Sequence, residues 1–166
     1  MNLLIRDAVP GDAGEIVAIF NPIIDAGSFT AFDEPFSVEA ERDYIMGLPE
    51  RAIFHVAVRV NDDSVVGFQS MEPFATYTNA FSHVGILGTY VDLGLRRQGV
   101  ATHLFRATFE VARRKGYEKV FTYIRADNPA ALAVYQHQGF RIVGTAERHA
   151  KLRGRCVDEI IVERLL

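Results

Sequence analysis

The stretch that most constrains the fold joins a strand pattern, a glycine-containing turn, a long helix pattern and a second strand pattern between residues 84 and 125. "VGILGTYVDL" and "EKVFTYIRA" are rich in β-branched and aromatic residues, as strands are. The segment after Gly99 predicts a helix with one apolar face, since hydrophobic residues recur at spacings of four, three and four: Val100, Leu104, Ala107 and Val111. A helix with one apolar face must pack that face against another layer.

The first half of the chain adds strands and helices around this unit. A short strand is expected at Leu3 to Arg6, followed by a helix for which Asp12 is the predicted N-cap and Glu15 completes a capping box. Ser37 is the predicted cap of a second helix from Val38 to Met46. "AIFHVAVRV" and "VVGFQSMEPF", separated by the polar turn "NDDS", predict a hairpin.

The second half closes the domain. Asn128 is a predicted helix cap with Pro129 at the first helical position. "FRIVGTAERH" and "CVDEIIVERLL" predict two final strands joined by a turn at "AKLRGR". The resulting order, βααβββαβαββ, predicts a single α/β domain (an α+β mixed sheet) that spans residues 1–166.

Composition and charge exclude several classes of function. The 18 Lys and Arg residues against 21 Asp and Glu residues give a formal net charge of −3, so no global basic field favours nucleic acid. The single cysteine, Cys156, excludes an internal disulfide and a four-cysteine zinc site. The apolar run before Arg6 is too short for a signal peptide, and no stretch approaches a membrane span. A cytoplasmic protein without membrane contact is the expectation.

Several catalytic and cofactor motifs are missing from the chain. It contains no G-x-G-x-x-G dinucleotide fingerprint, no G-x-x-x-x-G-K-[ST] phosphate loop and no G-x-S-x-G nucleophile elbow. No metal site is expected, because the five histidines are too far apart in sequence for a local ligand motif: His55, His83, His103, His137 and His149.

The stretch "RRQGVAT" at the start of the long helix predicts an anion site. The first N–H groups of a helix lack internal partners and lie at the positive end of its dipole. Gly99 has no side chain to block close approach, and Ala101 keeps the next turn open. Arg96 and Arg97 add positive charge at the rim. Taken alone, the same pattern also fits an ordinary solvated helix start.

A second pattern follows in "DNPAALAVYQHQGF". Asn128 stands at a helix start, and Tyr135 follows seven residues later on the same helical face. Considered singly, asparagine is a common cap and tyrosine is often a core residue. Only the combination of the two patterns indicates a function.

Together they resemble the GNAT superfamily of acetyl-CoA-dependent N-acetyltransferases. The superfamily's R/Q-x-x-G-x-G/A motif matches the stretch from Arg96 to Ala101. Its later pattern matches five residues of this chain: Asn128, Ala131, Tyr135, Gly139 and Phe140. One departure is Leu93, where the family often has proline. The resemblance implies a central, mostly antiparallel sheet of about seven strands with a splayed parallel pair, flanked by four helices.

The resemblance also implies acetyl-CoA as cosubstrate and assigns residues to it. Tyr90, Val91 and Asp92 would lie along the pantetheine arm, and Asn128 would contact the same region. The pyrophosphate would be bound by the main-chain N–H groups of residues 97–102. The residues assigned to this part of the cofactor are Arg96, Arg97, Gln98, Gly99, Val100, Ala101 and Thr102. Tyr135 would act as general acid for the departing thiolate, and a main-chain N–H near Val91 would bind the oxyanion.

The acceptor side is harder to assign from sequence. Candidates for the base are loop residues, namely Asp33, Glu34, Glu72 and His83. His83 is favoured because histidine titrates near neutrality. The substrate-binding residues are predicted to be Phe29, Phe32, Glu34 and Glu72. The aromatic loop from Phe29 to Phe36 is expected to close over a small ligand, with core packing or a dimer contact as alternatives.

Within the superfamily, the chain is most similar to the phosphinothricin and methionine sulfoximine acetyltransferase branch. The stretches "IFNPIIDAGSFTAFDEPFS", "TNAF" and "RGRCVDEIIVERLL" carry this similarity, which also implies a homodimer. Two features of the branch are missing: Ile86 stands where a glutamate base is usual, and Thr78 where an arginine is usual. Tyr123 occupies the strand-glutamate position of the ribosomal-protein N-terminal acetyltransferase branch.

Three functions follow as hypotheses. The first is an acetyl-CoA-dependent N-acetyltransferase that moves an acetyl group to the primary amine of a small amino-acid-like substrate, by direct attack in a ternary complex. The second is a protein or peptide N-terminal acetyltransferase. The third is a non-catalytic domain that binds acyl-CoA as a sensor. Turnover of acetyl-CoA with a panel of amines separates them.

Overall fold

The computed structural model describes all 166 residues, and its element order agrees with the βααβββαβαββ prediction. The strands are β1 (Leu3–Asp7), β2 (Ile53–Arg59), β3 (Ser64–Pro73), β4 (Val84–Val91), β5 (Lys119–Arg125), β6 (Arg141–Leu152) and β7 (Arg155–Leu165). The helices are α1 (Ala13–Asp25), α2 (Val38–Met46), α3 (Val100–Arg114) and α4 (Pro129–His137). None of them is long and apolar enough to cross a membrane.

The seven strands form one sheet in the order β1-β2-β3-β4-β5-β7-β6. Every neighbouring pair is antiparallel except β4 and β5, which are parallel. The helix α3 provides the crossover between these two strands, as a parallel pair requires. The predicted fold class, a mostly antiparallel mixed sheet with four helices, is confirmed.

The parallel pair separates partway along its length. Residues Val84–Ile86 pair with Lys119–Phe121, whereas β4 continues to Val91 and β5 to Arg125. A last link across the gap is the Thr122 hydroxyl, which donates to the Leu87 carbonyl at 2.7 Å. Beyond it, one edge of β4 has no strand partner. This split in the sheet is the feature that positions the site.

The core has two parts, one on each face of the sheet. On one face α1 packs against alternate residues of β2, among them Phe54, Val56 and Val58. On the other face α3 packs its apolar stripe against the intervening strand residues, with Phe105 fully buried. The two helices therefore fix the sheet from both sides and leave the split open between them.

Two predicted helix caps are confirmed and one is wrong. The Ser37 hydroxyl accepts from the Ala40 N–H at 3.1 Å, and the Asn128 carbonyl oxygen accepts from the Ala131 N–H at 3.1 Å. Asp12 stands before α1, but its side chain makes no cap bond to that helix: its oxygens accept from the Arg6 guanidinium, at 2.7 and 2.8 Å, and from the Val9 N–H. This bidentate, charge-assisted pair is stronger than a neutral cap bond.

The capping box predicted at Glu15 and the turn predicted at "AKLRGR" also differ from the structure. The Glu15 carboxylate accepts from the Val65 N–H at 2.8 Å and so ties α1 to the start of β3. The last hairpin is longer than expected, since β6 runs to Leu152 and β7 starts at Arg155. Its tight turn places Arg153 and Gly154 in left-handed conformations, at φ +48° and +81°, as two-residue hairpin loops often require.

Candidate active site

The start of α3 lies at the open end of the split. Gly99 is its N-cap, in the left-handed region at φ +83°, and Arg97 before it is at φ +61°. Val100 is buried, and it anchors the turn to the core. The N–H groups of the first helical turn have no partners within the helix. They face outward beside the edge of β4, so this helix start has the geometry of an anion-binding site, which we call the anion seat.

A cleft of about 550 Å³ runs from this turn into the split, between β4 and α4. Most of the predicted acetyl-CoA residues line it: Tyr90, Val91, Arg96, Arg97, Gly99, Val100, Ala101, Thr102, Asn128 and Tyr135. Asp92 and Gln98 do not. The Asp92 carboxylate accepts from the Gly94 N–H at 2.7 Å and shapes the turn after β4, while Gln98 is exposed.

These features fit acetyl-CoA. The left-handed Gly99 and the free N–H groups suit a pyrophosphate, and Arg96 and Arg97 supply the opposite charge. The unpartnered edge of β4 offers main-chain groups to an extended arm with amide bonds, as the pantetheine arm has. The lining of the cleft runs from the helix start at Gly99 to Thr89 and Tyr135 in the split.

Tyr135 lies at the inner end of the cleft, where α4 faces β4. Its side chain is buried, with 7% of the residue exposed, and its hydroxyl is 3.2 Å from the hydroxyl of Thr89. Thr89 in turn accepts from the Gln69 amide at 2.7 Å. Burial raises the pKa of Tyr135 well above its ordinary value, so the phenol stays protonated across the physiological range.

A second, smaller cavity of about 260 Å³ lies at the split where the loop after α1 covers it. Its walls are residues 29–32 of that loop, 87–90 of β4, 122–125 of β5, and Glu159 of β7, with Ala131 and Tyr135 from α4. The two cavities meet at the residues that line both: Phe29, Thr89, Tyr90, Ala131 and Tyr135. A reacting group at this junction is reachable from both.

Arg125 holds the loop that covers the second cavity. One guanidinium nitrogen donates to the carbonyl oxygens of Gly27 and Thr30, at 2.9 and 3.1 Å. The remaining nitrogens pair with the two oxygens of Asp127, at 2.8 and 2.7 Å. Since Arg125 is a buried strand residue, these bonds fix the loop to the sheet.

The aromatic loop is packed as well as anchored. The rings of Phe32 and Phe36 lie 5.2 and 5.6 Å from that of Phe20 in α1. The guanidinium of Arg96 lies 4.0 Å from the centre of the Phe29 ring, a cation–π contact. Phe29 and Phe32 both line the second cavity, while Phe29 and Phe36 pack against the core. The role of Phe29 and Phe32 in substrate binding stays a prediction.

The acidic and histidine candidates for the base do not lie at either cavity. His83 is exposed at the first end of β4, where its carbonyl accepts from the Lys119 N–H at 3.1 Å. Asp33 and Glu34 are exposed on the loop. Glu72 stands opposite Ile86 in the sheet, but its carboxylate accepts from the Tyr44 hydroxyl at 2.8 Å. Their positions do not support the predicted roles.

Glu159 and Arg125 are site residues that the sequence analysis missed. Both are buried, and they pair directly across β7 and β5. A signal was present in "CVDEIIVERLL", because Glu159 interrupts an apolar strand at a position that faces inward. A charged residue buried in a strand requires either a partner or a function.

Comparison with known proteins agrees with this geometry. The model of the Acetyltransferase (GNAT) family matches residues 23–140, which is more than half of the chain. The chain belongs to the GNAT family. It is therefore an acetyl-CoA-dependent N-acetyltransferase, and an acyltransferase by class. The resemblance identified from the Arg96 and Asn128 motifs is confirmed.

Several GNAT relatives match over nearly the whole chain. A phosphinothricin N-acetyltransferase of Streptomyces coelicolor is 23% identical, over 98% of this chain and 95% of its own. The structure of a ribosomal-protein-alanine N-acetyltransferase from Brucella melitensis is 26% identical, with a TM-score of 0.88 and coverage of 98% and 99%. A phosphinothricin acetyltransferase from Sinorhizobium meliloti, in complex with AcCoA, shares the fold with a TM-score of 0.89, 20% identity and coverage of 100% and 89%.

Proposed function

We propose that this GNAT enzyme transfers the acetyl group of acetyl-CoA to the primary amine of a small amino-acid-like substrate. The amine would attack the thioester directly, with both substrates bound. One observation carries the proposal: two cavities of different character reach the split in the sheet and meet at Thr89 and Tyr135. A site where two cavities meet suits a ternary complex, because each substrate would occupy a cavity of its own.

On the donor side, the chain's main-chain groups do most of the binding. The N–H groups of residues 97–102 would hold the pyrophosphate, with Arg96 and Arg97 at its rim. The free edge of β4 at Tyr90 and Val91 would pair with the pantetheine arm. An N–H of β4 near Val91 would stabilise the oxyanion that forms as the amine adds to the carbonyl.

Tyr135 would donate a proton to the leaving sulfur. Its raised pKa means that the proton is present at any pH at which the enzyme works. The same shift makes complete transfer to a thiolate unfavourable unless the phenolate is stabilised. The Thr89 hydroxyl, 3.2 Å away and itself bonded by Gln69, is placed to give that stabilisation.

The size of the acceptor cavity supports a small substrate. Its volume of about 260 Å³ lies below the range of pockets for drug-sized ligands, and Phe29 and Phe32 are part of its lining. The Streptomyces relative is named for a small amino acid analogue. The Brucella neighbour is named for a protein substrate, which makes an N-terminal acetyltransferase the second candidate.

The direct test measures release of CoA with a panel of acceptors. The panel contains free amino acids, phosphinothricin, methionine sulfoximine, simple primary amines and peptides that begin with alanine. We expect turnover with one or more small amines and little with the peptides. Preference for the peptides would favour the second candidate. Binding of acetyl-CoA without transfer to any acceptor would overturn the proposal.

We also propose a cytoplasmic homodimer. The thiol of Cys156 is exposed and unpaired, which suits a reducing compartment. Three aromatic side chains, Phe74, Tyr77 and Phe81, are exposed and contact one another between β3 and β4, and such patches favour association. Light scattering on the purified protein measures the mass directly. A monomer at micromolar concentration would overturn the dimer.

A further inference from the structure

The second cavity contains one carboxylate, that of Glu159. No other residue lining this cavity carries a negative charge. Glu159 belongs to β7 and reaches the cavity beside Arg125, its direct cross-strand neighbour on β5. Only 7% of the residue is exposed. An acceptor that enters this cavity therefore meets a single negative group.

This carboxylate is unusually poorly stabilised by the protein. No hydrogen bond of the structure involves its side chain, and burial raises the pKa of Glu159. Asp12, which is also buried, shows the contrast. It accepts from Arg6 and from the Val9 N–H, so these bonds hold its pKa below the ordinary value. A buried charge without bonds lowers stability, so its presence points to a role in function.

Charged and titratable neighbours face Glu159 from three sides. Arg125 of β5 is committed to Asp127 and to the loop carbonyls. His149 of β6 places Nε2 4.0 Å from the Glu159 carboxylate, which is too far for a hydrogen bond. Tyr135 of α4 lines the same cavity and stays protonated. The charges of His149 and Arg125 oppose the rise in the pKa of Glu159, but burial outweighs them. His149 is half-exposed and lies between the carboxylate and solvent.

Glu159 and Tyr135 lie on different sides of the place where the reaction would occur. Glu159 and Arg125 share the face of the sheet that the loop covers, because Arg125 bonds to that loop. The Tyr135 hydroxyl contacts the Thr89 hydroxyl, and both residues line the cleft that acetyl-CoA would fill. A proton acceptor is thus present on the amine side, and a proton donor on the sulfur side.

We propose that Glu159 is the general base of the reaction. It would bind the ammonium form of the acceptor and remove one proton, leaving a neutral amine. The amine adds to the thioester carbonyl, so the C–N bond forms and the carbonyl oxygen becomes an oxyanion; when this intermediate collapses, the C–S bond breaks. The sulfur takes a proton from Tyr135, and the second proton of the nitrogen restores the phenol. The proton on Glu159 leaves to solvent past His149, so overall one proton is released. This role rests on the proposed function.

The assignment explains how the chain works without the glutamate that related enzymes have at the position of Ile86. Ile86 belongs to β4, on the near side of the split. Ile86 is still paired with Phe121 of β5 and lines neither cavity, whereas Glu159 belongs to β7, beyond β5, and lines the second cavity. Under this proposal the chain's base comes from β7 and not from the β4 position that Ile86 occupies.

The test compares wild type with Glu159→Gln, using the best amine found in the acceptor panel. At about pH 7 we expect kcat/KM for the amine to fall about 100-fold or more. In the variant, kcat/KM for the amine should rise about tenfold for each pH unit up to the pKa of the amine. The reason is that only the free amine reacts, and its fraction grows about tenfold per pH unit below that pKa. The gap between the two enzymes should therefore narrow at alkaline pH. Glu159→Asp should keep the wild-type pH profile at lower activity.

Two controls separate the possible failures. Glu147→Gln removes an exposed carboxylate from the neighbouring strand β6 and should leave the pH profile unchanged. The dissociation constant for acetyl-CoA should change by less than about twofold in Glu159→Gln, which shows that the donor side is intact. The assignment would be overturned if kcat/KM of Glu159→Gln for the amine lay within about threefold of the wild-type value, or if it fell by the same factor at every pH. If wild type itself acetylates no amine, the proposed function fails first and this role with it.

Discussion

The two sides of the split in the sheet are built in different ways. On the donor side, binding groups come mainly from the backbone of one continuous stretch, from the end of β4 to the first turn of α3. On the acceptor side, they would come from five separate segments: the loop after α1, β4, β5, α4 and β7. Under the proposed function, the donor side would receive one fixed ligand, whereas the acceptor side would define which amine reacts.

This difference shows which part of the molecule is free to vary. A backbone seat for phosphate depends on conformation, so few residue types satisfy Gly99 at φ +83°. A side-chain pocket keeps its shape through anchors such as Arg125, while the reactive group can move from one strand to another. Glu159 in place of a carboxylate at Ile86 is an example of that freedom under our proposal.

The largest effect is expected from Gly99→Glu on the donor side. A carboxylate at this position would meet the pyrophosphate, and like charges in contact cost several kcal/mol. We expect the dissociation constant for acetyl-CoA to rise at least about 100-fold, measured by titration calorimetry. Gly116→Glu is the matched control, because Gly116 has φ +82° beyond the other end of α3 and faces open space. If both variants bind acetyl-CoA as wild type does, the anion seat is refuted.

At the junction of the two sides, we expect Tyr135→Phe to lower kcat about 100-fold and to leave the KM for acetyl-CoA within about twofold. The phenol proton is lost, but the ring keeps its packing against Phe105. Tyr117→Phe is the control, since it removes another buried hydroxyl, one that donates to the Arg51 carbonyl. Because its pKa is raised, Tyr135 should cause no fall in wild-type activity below about pH 10. Full activity of Tyr135→Phe would rule out the acid role.

The sequence predicted the fold, and it predicted most of the residues that line the first cleft, for a physical reason. Helix periodicity, the Ser37 and Asn128 caps and the Gly99 turn are local properties, which neighbouring residues determine. The acceptor side depends on contacts between distant residues, such as Arg125 with Gly27 and Thr30. His83 was favoured by chemistry alone, and the sheet places it at the wrong end of β4 for either cavity. Asp12 was misread for the same reason, because its partner Arg6 lies outside the helix.

On the acceptor side, we expect a smaller effect from Arg125→Gln. The loop carbonyls of Gly27 and Thr30 lose their donor, and an unpaired buried carbonyl costs about 1–3 kcal/mol. The loop should loosen, so that the KM for the amine rises about tenfold while acetyl-CoA binding changes little. Steady-state kinetics with each substrate varied in turn measures both. Arg155→Gln, an exposed change at the start of β7, should alter neither constant. If amine binding and acetyl-CoA binding weakened by the same factor, the separation of the two sites would be contradicted.

The smallest effect concerns stability and follows from Glu159. Burial raises the pKa of its carboxyl group in the folded state, so folding favours the protonated form. The stabilisation linked to this proton is complete below the ordinary pKa of glutamate and is lost as the pH rises through the raised value. Near neutral pH, Glu159→Gln removes the buried charge and should raise the melting temperature by about 2–4 °C, although it lowers activity.

This gain in stability should shrink at acid pH, because the wild-type carboxyl group is then neutral as well. Thermal unfolding followed at two pH values, one below the ordinary pKa of glutamate and one near neutrality, measures the difference. A variant less stable than wild type at neutral pH would mean that Glu159 has a structural partner that the contacts do not show. Higher stability together with lower activity would instead show that the chain keeps a destabilising carboxylate because the reaction requires it.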